Sequence, residues 1–156
     1  RYVYDLVAEG YMEFHPMPCH GDHNESLCRY FHHQLKSLVS RVIGRPVHPS
    51  YSYLRSYAAG AALAKHIDRE PSHYSISFLI DFTLADLTPA PDGRSPWPLW
   101  FESGALGTLP VYQRRGDGVF FEGMKIPHFR ERLMDGCTST SIFFEYAPEA
   151  YAGSLR

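Results

Sequence analysis

The sequence predicts one domain over residues 1–156 that is mainly antiparallel β with a helix packed against the sheet. Three observations support this fold class. The chain has 156 residues and 44% hydrophobic content, enough for one sizeable core and too little for two domains. One segment has helical periodicity, and short aromatic-rich segments follow it. We therefore expect a helical N-terminal part over about residues 1–45 and a β core over about 46–150.

The predicted helix covers residues 24–43. Apolar side chains recur there at three- and four-residue steps, which is typical of an amphipathic helix. These side chains are Leu27, Tyr30, Phe31, Leu35, Leu38, Val39, Val42 and Ile43. Asp22 or Asn24 is expected to cap the start of the helix, and Gly44 followed by Pro46 to end it.

The predicted strands are short segments rich in Tyr, Phe, Ile, Val and Ser. Turn sequences separate them, such as Pro-Asp-Gly at 91–93 and Gly-Asp-Gly at 116–118, as expected for an antiparallel sheet. Residues 83–96 are predicted to form a long mobile loop. The strand segments are residues 51–57, 73–82, 98–102, 118–123 and 139–146.

Charge and composition exclude several classes of partner. The formal net charge is -2 and the isoelectric point is about 6.5, so we expect neither nucleic acid nor an anionic membrane as the main partner. The sequence has no apolar run long enough to span a bilayer and no signal-peptide pattern. The chain has three cysteines, Cys19, Cys28 and Cys137. This odd and sparse set does not resemble a disulfide framework. These features predict a cytoplasmic protein.

His66 and Asp68 form a candidate metal-binding pair. Residues i and i+2 of a strand share a face, so an imidazole and a carboxylate at this spacing can bind one ion. His128, which follows a Gly-bounded segment far downstream, supplies a third ligand. Two histidines and one carboxylate form the facial triad of non-haem Fe(II) oxygenases. The alternatives are a chance His-x-Asp pair and an ordinary surface histidine at position 128.

A second group of metal-ligand residue types lies near the N-terminus. Residues 19–28 contain Cys19, His20, Asp22, His23 and Cys28, but their spacing fits no common zinc finger or knuckle. We interpret this segment as a loop and helix start, with a structural zinc site as the less favoured alternative.

Several segments together resemble the Fe(II)/2-oxoglutarate-dependent dioxygenases, most closely the prolyl-hydroxylase-like group. "LRSYAAGAALAKHID" is similar to the segment that ends in the family's His-x-Asp pair, and "YSISFLID" to the strand after it. "GDGVFFEGMKIPH" is similar to the segment with the distal histidine, and "TSIFFEY" to the closing strand. The resemblance covers about residues 51–146. It implies a double-stranded β-helix, a jelly-roll or cupin-like fold.

The resemblance also implies a reaction. Members use Fe(II), O₂ and 2-oxoglutarate, release succinate and CO₂, and are in some cases stimulated by ascorbate. Because Asp68 keeps the carboxylate that halogenating relatives lack, hydroxylation is favoured. The implied substrate is a peptidyl residue, an amino acid or a small natural product. The alternative is a cupin-like module that binds a metal or small ligand without turnover.

The sequence departs from the family pattern at the cosubstrate anchor. Many members hold the distal carboxylate of 2-oxoglutarate with Arg or Lys ten residues after the distal histidine, and here that residue is Thr138. A buried carboxylate needs a charged partner. Arg55 is the first candidate for this cation and Arg130 the second.

Other polar residues complete the expected cosubstrate pocket. Tyr53, Arg55 and Tyr57 alternate along one strand and so share a face, and Tyr57 matches the aromatic position that contacts the cosubstrate in relatives. Thr138 and Thr140 are expected to add hydroxyl hydrogen bonds. The alternative is that Arg55 lies on the outside of the sheet beside Tyr53.

Overall fold

The computed structural model describes residues 1–15, 18–84 and 92–155, so part of the predicted loop at 83–96 lies outside the described residues. The helices in the described part are α1 (Tyr2–Ala8) and α2 (Ser26–Ile43). The strands are β1 (Glu13–His15), β2 (Cys19–His23), β3 (Val47–Tyr57), β4 (Leu63–His66), β5 (Tyr74–Thr83), β6 (Leu99–Ser103), β7 (Gly107–Val111), β8 (Gly118–Phe121), β9 (His128–Arg130) and β10 (Thr138–Pro148).

The strands form two antiparallel sheets. The larger sheet has the order β1-β2-β3-β10-β5-β8, and the smaller sheet has the order β4-β9-β6-β7. From β3 onward the chain passes repeatedly between the two sheets, which winds the strands into a double-stranded β-helix. The predicted fold class is therefore confirmed.

The N-terminal part differs from the prediction. Residues 19–23, interpreted from the sequence as a loop and helix start, form β2 and pair with β3, with Gly21 opposite Arg55. Strands β7 and β9 were not predicted, because β7 is five residues long and mostly exposed and β9 is three residues long. Such short segments carry too little alternation to be recognised.

The helix prediction for α2 is correct except at its start. Glu25, not Asp22 or Asn24, is the N-cap, and its carboxylate accepts hydrogen bonds from the backbone N–H groups of Leu27 and Cys28. Gly44 ends the helix in the left-handed conformation, with φ 77°. This conformation costs glycine little because it has no Cβ.

The packing separates the two faces of the larger sheet. On the outer face, Leu54, Ile142 and Phe144 form one hydrophobic cluster with Val39 of α2. On the inner face, Tyr57 packs with Trp97, and a third cluster around Phe121 joins β8 to the smaller sheet. Side chains alternate between faces along a strand, so residues such as Tyr57 point into the space between the sheets.

Neither helix in the described residues has the combination of length and apolar character needed to cross a membrane.

Candidate metal centre

The structure brings His66, Asp68 and His128 together. His66 ends β4 and His128 begins β9, and the two residues are opposite each other in the antiparallel pair. The Nε2 atoms of both histidines lie 3.5 Å from Oδ1 of Asp68. Each of the three side chains offers one ligand atom, and these atoms all lie within 4.8 Å of one another. Among the described residues, this is the group of three or more His, Cys, Asp or Glu side chains that could hold one metal ion.

Backbone contacts fix the direction of both imidazoles. Nδ1 of His66 lies 2.8 Å from the carbonyl oxygen of Ala64, and Nδ1 of His128 lies 3.0 Å from that of Ile126. A carbonyl oxygen only accepts, so each Nδ1 carries a hydrogen, and in the neutral imidazole Nε2 then presents a lone pair. Both Nε2 atoms therefore face Asp68 in the form that binds a metal.

Asp68 lies just beyond the end of β4, not within a strand as the sequence pattern suggested. Its backbone N–H donates a hydrogen bond to the carbonyl oxygen of Gly123, at 2.9 Å. The loop before β9 thus holds the carboxylate beside the histidines. The His-x-Asp spacing correctly predicted that His66 and Asp68 lie close together. The reason is the hydrogen bond to Gly123 and not the shared face of a continuous strand, because β4 ends at His66.

The electrostatic environment favours the ligand forms of Asp68 and His128. Burial alone would raise the pKa of the Asp68 carboxyl, but the contact with His66 and the charge of His128 lower it below its usual range. Burial lowers the pKa of His128. The contact with Asp68 raises the pKa of His66. At neutral pH, Asp68 is ionised and His128 is neutral, as metal coordination requires.

Two more polar residues, which the sequence reasoning missed, lie behind Asp68. The Ser75 hydroxyl is 2.8 Å from Oδ2 of Asp68 and 2.6 Å from Oε2 of Glu145. Burial and the charge of Asp68 raise the pKa of Glu145 well above its usual range. A lone acidic residue within the apolar segment "SIFFEY" was the available sequence signal.

The predicted cosubstrate residues Tyr53, Arg55 and Tyr57 share the inner face of β3. The Arg55 guanidinium lies over the Tyr53 ring, 4.3 Å from its centroid. Arg55 is two positions from Tyr57, which packs against Trp97 in the inner cluster, so Arg55 shares the inner face of the sheet and does not lie on its outside. Burial raises the pKa of Tyr57, while the positive charges of Arg55 and Arg130 lower it. The phenol of Tyr57 therefore lies within the electrostatic reach of both guanidinium groups.

Arg130 is 3% exposed and is held by neutral acceptors. It donates hydrogen bonds to the carbonyl oxygen of Trp97 at 2.8 Å and to Oε1 of Gln113 at 3.3 Å. Within the described part of the chain, no carboxylate lies within ion-pair distance of Arg130 or Arg55. A buried charge without a partner of opposite charge destabilises the fold. An anion bound beside Arg130 would remove this cost, so the space around Arg130 is suited to an anionic ligand.

Three of the six buried polar atoms that lack hydrogen-bond partners among the described residues belong to this region: Nε of Arg130, Oγ of Ser77 and Oγ of Ser141. Ser77 shares the inner face of β5 with Ser75, and Ser141 is opposite Arg55 in the sheet. Each atom can donate a hydrogen bond. The interior thus offers positive charge and unused donors, which fits a ligand that carries carboxylate oxygens.

Thr138 and Thr140, the other predicted pocket residues, make contacts elsewhere. The Thr138 hydroxyl is 2.6 Å from that of Thr83 in an exposed contact. The Thr140 hydroxyl is 3.0 Å from that of Ser56, and Thr140 lines the apolar groove between α2 and the outer face of the larger sheet. The structure brings neither hydroxyl to the triad.

The residues of the candidate zinc site are also dispersed. Cys19 packs in the inner cluster with Tyr57, whereas Cys28 packs in the outer cluster with Val39. In the described residues, no group with metal-binding geometry includes either thiol. Residues 19–28 form strand β2 and the start of α2, not the loop and helix start that the sequence suggested.

Solved structures with the same fold include AviO1, HygX and a prolyl-4-hydroxylase. AviO1 from Streptomyces viridochromogenes Tue57 is 20% identical, with a TM-score of 0.60 over 78% of this chain and 60% of AviO1. HygX from Streptomyces hygroscopicus, with nickel and 2-oxoglutarate bound, is 11% identical, with a TM-score of 0.69 over 96% of this chain and 79% of HygX. A Pseudomonas putida prolyl-4-hydroxylase is 13% identical, with a TM-score of 0.68 over 96% and 83%.

This chain therefore spans about three fifths of the length of AviO1. HygX has also been crystallised with hygromycin B in addition to nickel and 2-oxoglutarate. No protein-family model matches the sequence, and no curated protein is similar to it. At these identities, the structural likeness establishes the fold.

Proposed function

We propose that this chain, which shares the fold of 2-oxoglutarate-binding HygX and a prolyl-4-hydroxylase, is an Fe(II)- and 2-oxoglutarate-dependent oxygenase. The observation that carries the proposal is the convergence of two Nε2 atoms on Oδ1 of Asp68, each at 3.5 Å. Ligands at about 2.1 Å from one ion are about 3.0–3.5 Å apart for bond angles between octahedral and tetrahedral. The two Nε2–Oδ1 distances fit this separation.

His66, Asp68 and His128 would hold the metal on one face and leave the other positions open. When bound, Fe(II) with 2-oxoglutarate and O₂ supplies the oxidation, in which one oxygen atom enters a substrate C–H bond and the other enters succinate as CO₂ is lost. The protein supplies the orientation. The Phe121 ring contacts the His128 ring edge to face at 4.8 Å and restricts its rotation.

We assign the distal carboxylate of 2-oxoglutarate to the space between Arg55 and Arg130, beside the hydroxyl of Tyr57. The two guanidinium groups come from β3 and β9, and the positive charge of each lowers the pKa of Tyr57. Neither has a carboxylate partner among the described residues, so the cosubstrate would supply the missing negative charge. This arrangement replaces the usual cation at the position of Thr138, and it uses both candidates that the sequence offered as alternatives.

The substrate approaches from the side of His66. The side chain of His66 is 36% exposed, whereas that of His128 is 5% exposed. Aromatic rings lie along the neighbouring face of β2 and β3, where His23 stacks on Tyr51 at 4.9 Å. We propose a small-molecule or peptidyl substrate that covers this open side, in line with the binding of hygromycin B by HygX.

An anaerobic titration tests the proposal. Fe(II) and then 2-oxoglutarate are added to the protein, and the metal-to-ligand absorption band is followed. We expect a saturable band in the wild-type protein and, with O₂ and ascorbate, release of succinate. A wild-type protein that binds Fe(II) without this band and forms no succinate would instead support the metal-binding module without turnover.

A further inference from the structure

We propose that Ser75 and Glu145 are positioning residues that fix the carboxylate of Asp68, so that only Oδ1 faces the metal. The proposal rests on the proposed function, since it concerns a ligand of the same metal site. Neither residue is a ligand itself. Their role would be to set how Asp68 binds and how many positions on the metal remain open for cosubstrate and O₂.

The two oxygens of Asp68 have different surroundings. Oδ1 is the atom that lies 3.5 Å from Nε2 of both histidines. Oδ2 lies 2.8 Å from Oγ of Ser75. A carboxylate that donates both oxygens to a metal would occupy one position more than a carboxylate that donates one. The hydrogen bond from Ser75 therefore favours binding through Oδ1 alone.

Gly123 prevents the carboxylate from moving away from Ser75. A Cβ atom at position 123 would collide with Oδ2 of Asp68 and with Oγ of Ser75. The main chain of Gly123 is thus in close contact with this hydrogen bond, and its carbonyl oxygen accepts the N–H of Asp68 at 2.9 Å. Asp68 is therefore held between the loop and the inner face of β5.

Glu145 orients the Ser75 hydroxyl. Ser75 is 0% exposed and Glu145 is 5% exposed, and Oε2 of Glu145 lies 2.6 Å from Oγ of Ser75. A hydroxyl has one hydrogen but can accept two hydrogen bonds. A carboxylate that binds a metal is ionised and only accepts, so Ser75 donates its hydrogen to Oδ2 of Asp68, and its contact with Glu145 then requires the Glu145 carboxyl group to be the donor. A neutral acid behind Ser75 therefore directs the hydroxyl hydrogen towards Asp68.

The test measures binding of Co(II) to the metal-free chain of residues 1–156, with the d–d absorption spectrum as a second readout. Ser75→Ala is compared with Ser52→Ala, which removes the hydroxyl of another fully buried serine, one that has no contact with the triad. We expect Ser75→Ala to weaken Co(II) binding by about 10- to 100-fold and to alter the spectrum as Asp68 becomes free to bind through both oxygens. Ser52→Ala should change neither.

Two variants of Glu145 give a second measurement. Glu145→Gln keeps a neutral donor beside Ser75 and is expected to retain wild-type affinity within about threefold, whereas Glu145→Leu should lose about tenfold or more. Equal affinities and spectra for Ser75→Ala and Ser52→Ala would overturn the proposal. If Ser75→Ala does not fold, equal affinities for the two Glu145 variants would overturn it.

The outcomes separate this inference from the proposed function. A wild-type chain that binds neither Co(II) nor Fe(II) would reject the oxygenase assignment itself, and with it this inference. A wild-type chain that binds both ions while Ser75→Ala binds them equally well with an unchanged spectrum would reject only the positioning role.

Discussion

Arg130 donates a hydrogen bond to the carbonyl oxygen of Trp97 at 2.8 Å while its guanidinium lies over the Trp97 ring, 4.7 Å from the centroid. Both contacts are with a neutral residue, so they orient the cation without neutralising it. Arg130 shares a strand face with His128, because the two residues are two positions apart. A buried, oriented and unneutralised cation near the triad is the strongest structural support for an anionic ligand.

The first prediction concerns that anion. Arg55→Ala should raise the midpoint of the anaerobic 2-oxoglutarate titration by an amount equivalent to about 2–5 kcal/mol, because a desolvated carboxylate loses its partner. Arg130→Lys keeps the charge but loses the planar donor geometry, so a rise of about tenfold is expected. Tyr57→Phe should cost about 1 kcal/mol, the value of one hydrogen bond.

Arg132→Ala is the control for these variants, because the Arg132 side chain is 64% exposed and pairs with Asp135. Its titration midpoint should equal that of the wild type. An unchanged midpoint in Arg55→Ala would remove Arg55 from the pocket and leave Arg130 as the cation.

The second prediction concerns the metal. His128→Ala should lower Fe(II) affinity sharply and abolish succinate formation, because it removes one of three protein ligands. Binding is measured by calorimetry under anaerobic conditions. His48→Ala, which changes a histidine at the surface whose side chain is 40% exposed, should bind Fe(II) as the wild type does. Wild-type binding and turnover by His128→Ala would show that the triad assignment is wrong.

The third prediction concerns the glycine behind Asp68. Gly123→Ala should reduce metal affinity by at least about tenfold, because the added methyl group would displace the Asp68 carboxylate. Gly104→Ala is the matched control, since a Cβ at position 104 meets no atom within 4 Å. Calorimetric titration with Co(II) compares the two variants. Equal affinities would mean that the loop can move aside without disturbing Asp68.

The fourth prediction concerns the pH dependence of stability. Burial lowers the pKa of His32 to about 4, whereas the unfolded chain has the usual value of about 6.5. Between these values the unfolded state takes up a proton that the folded state does not, so this contribution to stability is present above about pH 6.5 and is lost as pH falls towards 4. The expected loss between pH 7 and pH 5 is about 2 kcal/mol.

The pH dependence of stability that arises from Glu145 has the opposite sign. The pKa of Glu145 is raised in the folded state, so the folded state binds its proton more tightly than the unfolded state, and this contribution to stability is lost as pH rises. The measurement is therefore the difference in urea unfolding free energy between the wild type and His32→Gln. That difference should shrink as pH falls from 7 to 5. Parallel pH profiles for the two proteins would contradict the assignment to His32.

The fifth prediction concerns the cysteines. Cys19 and Cys28 are 0% and 4% exposed, so replacement of either by Ser should cost about 1–2 kcal/mol through burial of a hydroxyl. In the His128→Ala background, a chelator should leave the thermal unfolding temperature unchanged. A large drop on chelation that is absent from the cysteine variants would indicate a zinc site.

The fold class, helix α2 and the three residues of the candidate metal centre were accessible from the sequence because they depend on local patterns. The α2 stripe follows from helical periodicity, and Gly44 ends the helix because it tolerates the left-handed conformation. His66, Asp68 and His128 were recognised by residue type, by spacing and by the resemblance of the segments around them. The sequence patterns did not predict the contact with Gly123 that holds Asp68 beside the two histidines.

Tertiary structure decided the surroundings of those ligands. Oδ2 of Asp68 is held by Ser75 and Gly123, and Ser75 by Glu145, residues that come from separate parts of the chain and carry no local motif. The environment of Arg130 likewise depends on Trp97 and Gln113, whose contact with it exists only once the two sheets pack together. A sequence pattern reports which side chains share a strand face or helix face. The desolvation and the hydrogen-bond partner of a buried polar group are set by side chains distant in sequence, and therefore by the fold.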